Sequence, residues 1–163
     1  MSDTVIAAQL YTVREFCKTP ADFAKSMAKV SEIGYEAVQI SGVGPMAAAE
    51  MRRICDGEGL KICATHVGFE ALLNETAAQI DFHKTLGCEN VAIGGLPASY
   101  RENGAGFLRF AKEATEVGRR LAAAGLTFSY HNHSFELEKF DGRLALDIIY
   151  EESDPGLVMA ELD

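Results

Sequence analysis

Apolar runs of strand length alternate with amphipathic stretches along the whole chain. The strand candidates are residues 5–11, 37–41, 61–67, 90–94, 126–131 and 157–163. Between them lie segments with helical spacing. The clearest carries Phe107, Phe110, Ala111, Ala114, Val117, Gly118 and Leu121, a stripe at three- and four-residue intervals. Thr19-Pro20-Ala21-Asp22 reads as a helix start, with a capping hydroxyl, a proline at the first position and an early acid. Gly34, Gly59, Gly87 and Gly125 each follow a helical stretch and precede a strand, where glycine suits a left-handed cap. His83 falls in the helical stretch 76–86 and is expected on its surface. This cadence is a string of βα units and predicts a parallel sheet flanked by helices. No linker interrupts it, so residues 1–163 read as a single domain.

Two α/β architectures fit such a string: an open doubly wound sheet and a (β/α) barrel. A dinucleotide-binding open sheet carries G-x-G-x-x-G after its first strand. Here that strand leads into Gln9-Leu10-Tyr11-Thr12-Val13-Arg14, without a glycine. Polar residues instead close many strands: Gln9, Tyr11 and Arg14, then Gln39 and Ser41, Thr65 and His66, His131 and His133, and Glu161 and Asp163. An open sheet gathers ligand groups at one switch point, whereas a barrel draws them from the carboxyl ends of many strands. The pattern favours the barrel.

The densest chemistry lies in Tyr130-His131-Asn132-His133, at the end of an apolar run that follows Gly125. Side chains two apart on a strand share a face, which puts His131 and His133 together. Two imidazoles there can bind a divalent metal or move protons.

Composition narrows the partners. The chain has 163 residues and a net charge of −9, which argues against a phosphate backbone and against an anionic membrane surface. No apolar run approaches the ~20 residues that cross a bilayer. Met1-Ser2-Asp3-Thr4 has no signal-peptide pattern, so a cytoplasmic location is expected. Cys17, Cys55, Cys63 and Cys88 are scattered, as reduced structural cysteines are.

The chain resembles the xylose-isomerase-like TIM barrels, the group of sugar phosphate isomerases and epimerases that also includes inosose dehydratases and the endonuclease IV class. The resemblance rests on Gln9-Leu10-Tyr11-Thr12-Val13-Arg14, Ile33-Gly34-Tyr35-Glu36-Ala37-Val38-Gln39, Tyr130-His131-Asn132-His133-Ser134-Phe135-Glu136 and Glu161-Leu162-Asp163. It implies a (β/α)8 barrel of about 250 residues. The strands here stop at the sixth, so a barrel truncated after strand six is expected. Its open strand edges would favour a homo-oligomer.

Residue roles follow from the same resemblance. Asp163 matches a metal-ligating aspartate of the sixth strand. His131 stands where many members carry a metal-ligating glutamate that doubles as acid or base. His133 resembles a substrate contact and His66 a group that hydrogen-bonds sugar oxygens. Gln39 replaces a frequent carboxylate and would bind a hydroxyl. Gln9, Tyr11 and Glu136 complete the substrate-binding set, with Glu136 also able to shape the loop. The implied activity is a metal-dependent sugar or sugar phosphate isomerase or epimerase acting through an enediolate, with His131 or His133 as base. The implied cofactor is a divalent ion (Mn, Mg, Co or Zn), weakly held in this chain, and the implied partner is a small sugar or polyol. A lyase or dehydratase on a keto-sugar or keto-inositol is the alternative, as is an inactive fragment. The nuclease branch needs more histidines and a basic groove than four histidines and a charge of −9 supply.

Overall fold

The structure, a computed structural model, describes residues 5–163; Met1-Ser2-Asp3-Thr4, read above for a leader, lie outside the described residues. The chain divides into two compact units, one of residues 5–66 with 81–89, the other of residues 67–80 with 90–163. In the first, β1 (Ala7–Gln9), β2 (Ala37–Ile40) and β3 (Lys61–Val67) pair in parallel and in sequential order. Helices α1 (Pro20–Ile33) and α2 (Ala48–Gly57) are the connections. In the second, β4 (Asn90–Ile93), β5 (Thr127–His131) and β8 (Met159–Glu161) pair in parallel in the same sequential way. This unit also carries α3 (Phe69–Asn74), α5 (Gly104–Ala123), α6 (Ala145–Glu151) and a two-stranded ribbon of β6 (Lys139–Phe140) and β7 (Arg143–Leu144). Helix α4 (Thr76–Leu86) precedes β4.

Local chemistry explains the boundaries. Thr19 caps α1, its hydroxyl accepting from the Asp22 N–H at 3.2 Å, with Pro20 behind it. The four cap glycines all sit at positive φ, as the cadence required. The first strand is shorter than residues 5–11. Gln9 turns its side chain back onto the Tyr11 N–H at 2.9 Å and starts a 3-10 helix at Leu10–Phe16, so side-chain capping ends the strand early. The β6–β7 ribbon was not anticipated. Its turn is Asp141-Gly142 with φ of 51° and 84°, the two positive angles that a tight hairpin demands.

Each unit has its own core. The first packs Phe23, Met27, Val38, Ile54, Leu60 and Leu86. The second is aromatic: Phe69 meets Phe110 at 4.7 Å between ring centres, and Phe110 meets Tyr130 at 5.3 Å. All seven residues of the predicted helical stripe are buried on α5. His83 is a correction. It is fully buried rather than on the surface, sharing a 2.7 Å hydrogen bond with the Thr65 hydroxyl. The reason is that neighbouring Phe82 and Leu86 turn this part of α4 into the first core. Among the described residues no cysteine is in a disulfide, and burial pushes Cys55 up to about 12. Among the described residues no helix is long and apolar enough to cross a membrane.

Gly118 lets α5 press against the loop before β8: a Cβ there would lie 2.4 Å from the Leu157 carbonyl oxygen. Gly118→Ala is therefore expected to destabilise by about 1–3 kcal/mol. Gly57→Ala, at the open end of α2 with nothing within 4 Å of the added carbon, should stay within about 1 kcal/mol of the parent. Urea denaturation of both variants checks the contrast.

Candidate active site

The carboxyl end of β5 concentrates the chemistry. Parallel register sets His131 opposite Glu161 of β8, and their side chains meet with Nδ1 3.3 Å from Oε1. The chain then leaves the ladder, but Asn132 continues the pairing with its side chain. Its amide nitrogen donates to the Asp163 carbonyl and its amide oxygen accepts from the Asp163 N–H, both at 3.2 Å. Asp163 is thereby held with Oδ2 3.6 Å from the other ring nitrogen of His131, Nε2. A nearly buried imidazole thus faces a carboxylate at each nitrogen, one half-sheltered and one largely exposed.

His133 stands beside this group. Its ring lies 5.0 Å from that of His131, edge to face, and its side chain is 41% exposed, so it can reach a solute that His131 cannot. Phe135 stacks on it at 5.7 Å with 17° between planes. Glu136 lies beneath, completely buried. One of its oxygens accepts from the Tyr130 hydroxyl and the other from the His133 N–H at 2.9 Å. Burial foremost, and the Glu136 carboxylate after it, push the Tyr130 phenol far up, so it stays a donor. Tyr150, raised to about 12 by burial and then by Glu136 and Glu161, donates to the Tyr130 carbonyl at 3.2 Å. With no exposed surface and a hydrogen bond at each oxygen, Glu136 holds the loop.

In the first unit, His66 has both ring nitrogens engaged, by the Gln39 amide nitrogen at 2.9 Å and by the Ser41 hydroxyl at 3.0 Å. Gln39 is buried, which suits this orienting bond. Gln9 is the cap of its 3-10 helix, and Tyr11 is half exposed beneath the Arg14 guanidinium at 4.1 Å. Sequence reasoning passed over Glu161 and Asn132 as site residues. Both were visible as polar residues near strand ends, but only pairing register sets one opposite His131 and the other against Asp163.

No protein-family model matches the chain, and no curated protein matches it in sequence. Solved structures do. A sugar phosphate isomerase/epimerase from Parabacteroides distasonis superposes with a TM-score of 0.83 at 21% identity, over 100% of this chain and 70% of its own. A xylose isomerase-like TIM barrel protein from Mycobacterium smegmatis, in complex with magnesium, gives 0.69 at 16%, over 98% of this chain and 64% of its own. An L-ribulose 3-epimerase gives 0.67 at 14%, over 97% and 60%. The likeness is one of fold. The chain has the xylose-isomerase-like TIM-barrel fold over about two-thirds of such chains, as 70% and 64% coverage show.

Removing Glu136 strands the buried Tyr130 hydroxyl and leaves the part-buried His133 N–H without its acceptor. Glu136→Ala is expected to cost about 1–3 kcal/mol for the buried donor, with a smaller addition for the other. Glu136→Gln, which keeps one acceptor, should cost less. Thermal unfolding of the two variants orders them.

Proposed function

We propose that this fold carries a divalent-metal-dependent sugar isomerase or epimerase site. The observation that supports it is His131 set by register opposite Glu161, with Asp163 on the other ring nitrogen. The donor set fits a divalent ion. An imidazole nitrogen and a carboxylate oxygen converge, and mixed nitrogen and oxygen donors suit Mn, Co or Zn, while carboxylates suit Mg. One ion engages one imidazole nitrogen. His131 Nδ1 and Glu161 form the converging pair, and the Asp163 carboxylate faces Nε2 from 3.6 Å, on the side where metal-bound histidines commonly carry an orienting partner. This reading moves Asp163 from ligand to orienting partner and brings in Glu161. Two donors are fewer than the three or so of most catalytic sites, so weak binding is expected from this pair.

When bound, the ion would polarise adjacent substrate oxygens and stabilise an enediolate. The protein's own groups do the rest. His133, outside the ligand pair and exposed at its ring, takes or returns the proton on a substrate carbon. Its position is held from below by Glu136 on its N–H and from the side by Phe135.

Deuterium wash-in from heavy water, with ribulose, xylulose and keto-inositols as probes, tests this reading. Exchange beside the carbonyl should stop on addition of chelator. His133→Ala should slow it about 10²–10⁴-fold without changing manganese binding by calorimetry. His131→Ala and Glu161→Gln should abolish both, and Asp163→Asn should lower metal affinity about 10–100-fold. Exchange that persists with chelator sinks the metal assignment. Exchange with loss of water points to a dehydratase instead.

A further inference from the structure

Arg101 is set apart from the other arginines by the ring it lies on, Phe135, which stacks on His133. Arg14, Arg52, Arg119, Arg120 and Arg143 each pair with a carboxylate. Arg109 has no carboxylate pair among the described residues: it donates to the Ser99 carbonyl at 3.0 Å and lies 4.4 Å from the centre of the Tyr100 ring, away from the histidines. Arg101 lies in the loop that follows β4, and among the described residues no acidic side chain pairs with it, in a chain whose net charge is −9. It is nevertheless held in place. Its Nε donates to the Leu96 carbonyl at 2.5 Å, and its guanidinium carbon lies 4.1 Å from the centre of the Phe135 ring. Phe135 is the ring that stacks on His133. One face and one N–H of the guanidinium are thus used for positioning. The two Nη groups, the fork that grips a carboxylate or phosphate through paired hydrogen bonds, have no protein partner among the described residues. Gly95, in the same loop, keeps the approach open: a side chain there would begin 3.5 Å from the His133 ring.

We propose that Arg101 reads an oxyanion at one end of the substrate, so that the site takes a sugar phosphate or a sugar acid in preference to a neutral sugar. The inference rests on the reading of His133 as the base, since Phe135 ties the guanidinium to that ring. A stacked, pre-oriented arginine loses little freedom when it binds and adds geometric selection to charge. The placement also resolves a conflict. An acidic protein repels anionic solutes at long range, and a local cation at the loop offsets that repulsion where it counts.

Calorimetric titration of the 163-residue chain tests the proposal with ribulose 5-phosphate, fructuronate, ribulose and inorganic phosphate as probes. At least one of the two anionic sugars should bind about tenfold or more tightly than ribulose, and which one does separates phosphate from carboxylate recognition. Arg101→Gln should remove that advantage and leave ribulose unchanged. Arg101→Lys should retain only part of it, and the advantage should shrink with added salt. Phe135→Leu, which keeps the charge but removes the platform, should give an intermediate loss. Equal binding of ribulose and both anions, or an Arg101→Gln variant that keeps the preference, overturns the proposal. So does a chain that binds none of the probes. Chelator-resistant deuterium exchange would overturn the metal reading while leaving the effect of Arg101 on anion affinity in force, so the two can fail separately.

Discussion

A carboxylate taken wholly out of water must have its oxygens hydrogen-bonded, and Glu136 is such a group. Meeting that demand dictates the path of the chain after β5. The Tyr130 hydroxyl must reach one oxygen and the His133 N–H the other. Tyr130 is therefore drawn into the aromatic core, against Phe110 and Tyr150. His133 is turned at its backbone, which leaves its ring outward beside His131. Phe135, between the two ends of this loop, is presented to His133 and to Arg101. The outward placing of His133 and Phe135 thus follows from one buried carboxyl group.

His131 illustrates how ladder pairing converts into chemistry. Parallel register alone sets it opposite Glu161, and no loop conformation is needed to bring the two together. Loops are the mobile parts of most sites, so a pair fixed by strands is positioned more tightly than one fixed by turns. Asp163 is held by a weaker device, one side-chain amide, and its carboxylate is largely exposed. The proposed roles follow this difference, with Glu161 as ligand and Asp163 as orienting partner.

Periodicity carried much of the fold. The third strand, residues 61–67, and the α5 stripe appear as read, because both depend on burial along one element. Side-chain events were less legible. Gln9 ends β1 by capping a 3-10 helix, which no hydropathy pattern records. His83 is buried because Phe82 and Leu86 face the first core, and one polar residue in a weakly amphipathic helix does not declare its side. Among site residues, the two histidines of β5 and its following loop were legible from their spacing. Glu161 was not, since its importance lies in the register of another strand. Arg101 was passed over for a like reason: its partners are a carbonyl and a ring distant in sequence.

Asn132 has a consequence for how the protein ages. Its amide stands in for a peptide group, offering one donor and one acceptor to the backbone of Asp163. Asparagine is among the thermolabile residues. Hydrolysis of this amide would exchange its nitrogen for oxygen, so the donor to the Asp163 carbonyl would become an acceptor facing an acceptor. It would also add a negative charge next to a histidine already flanked by two carboxylates. One spontaneous chemical change, without any mutation, would thus loosen Asp163 and alter the electrostatics of His131 together.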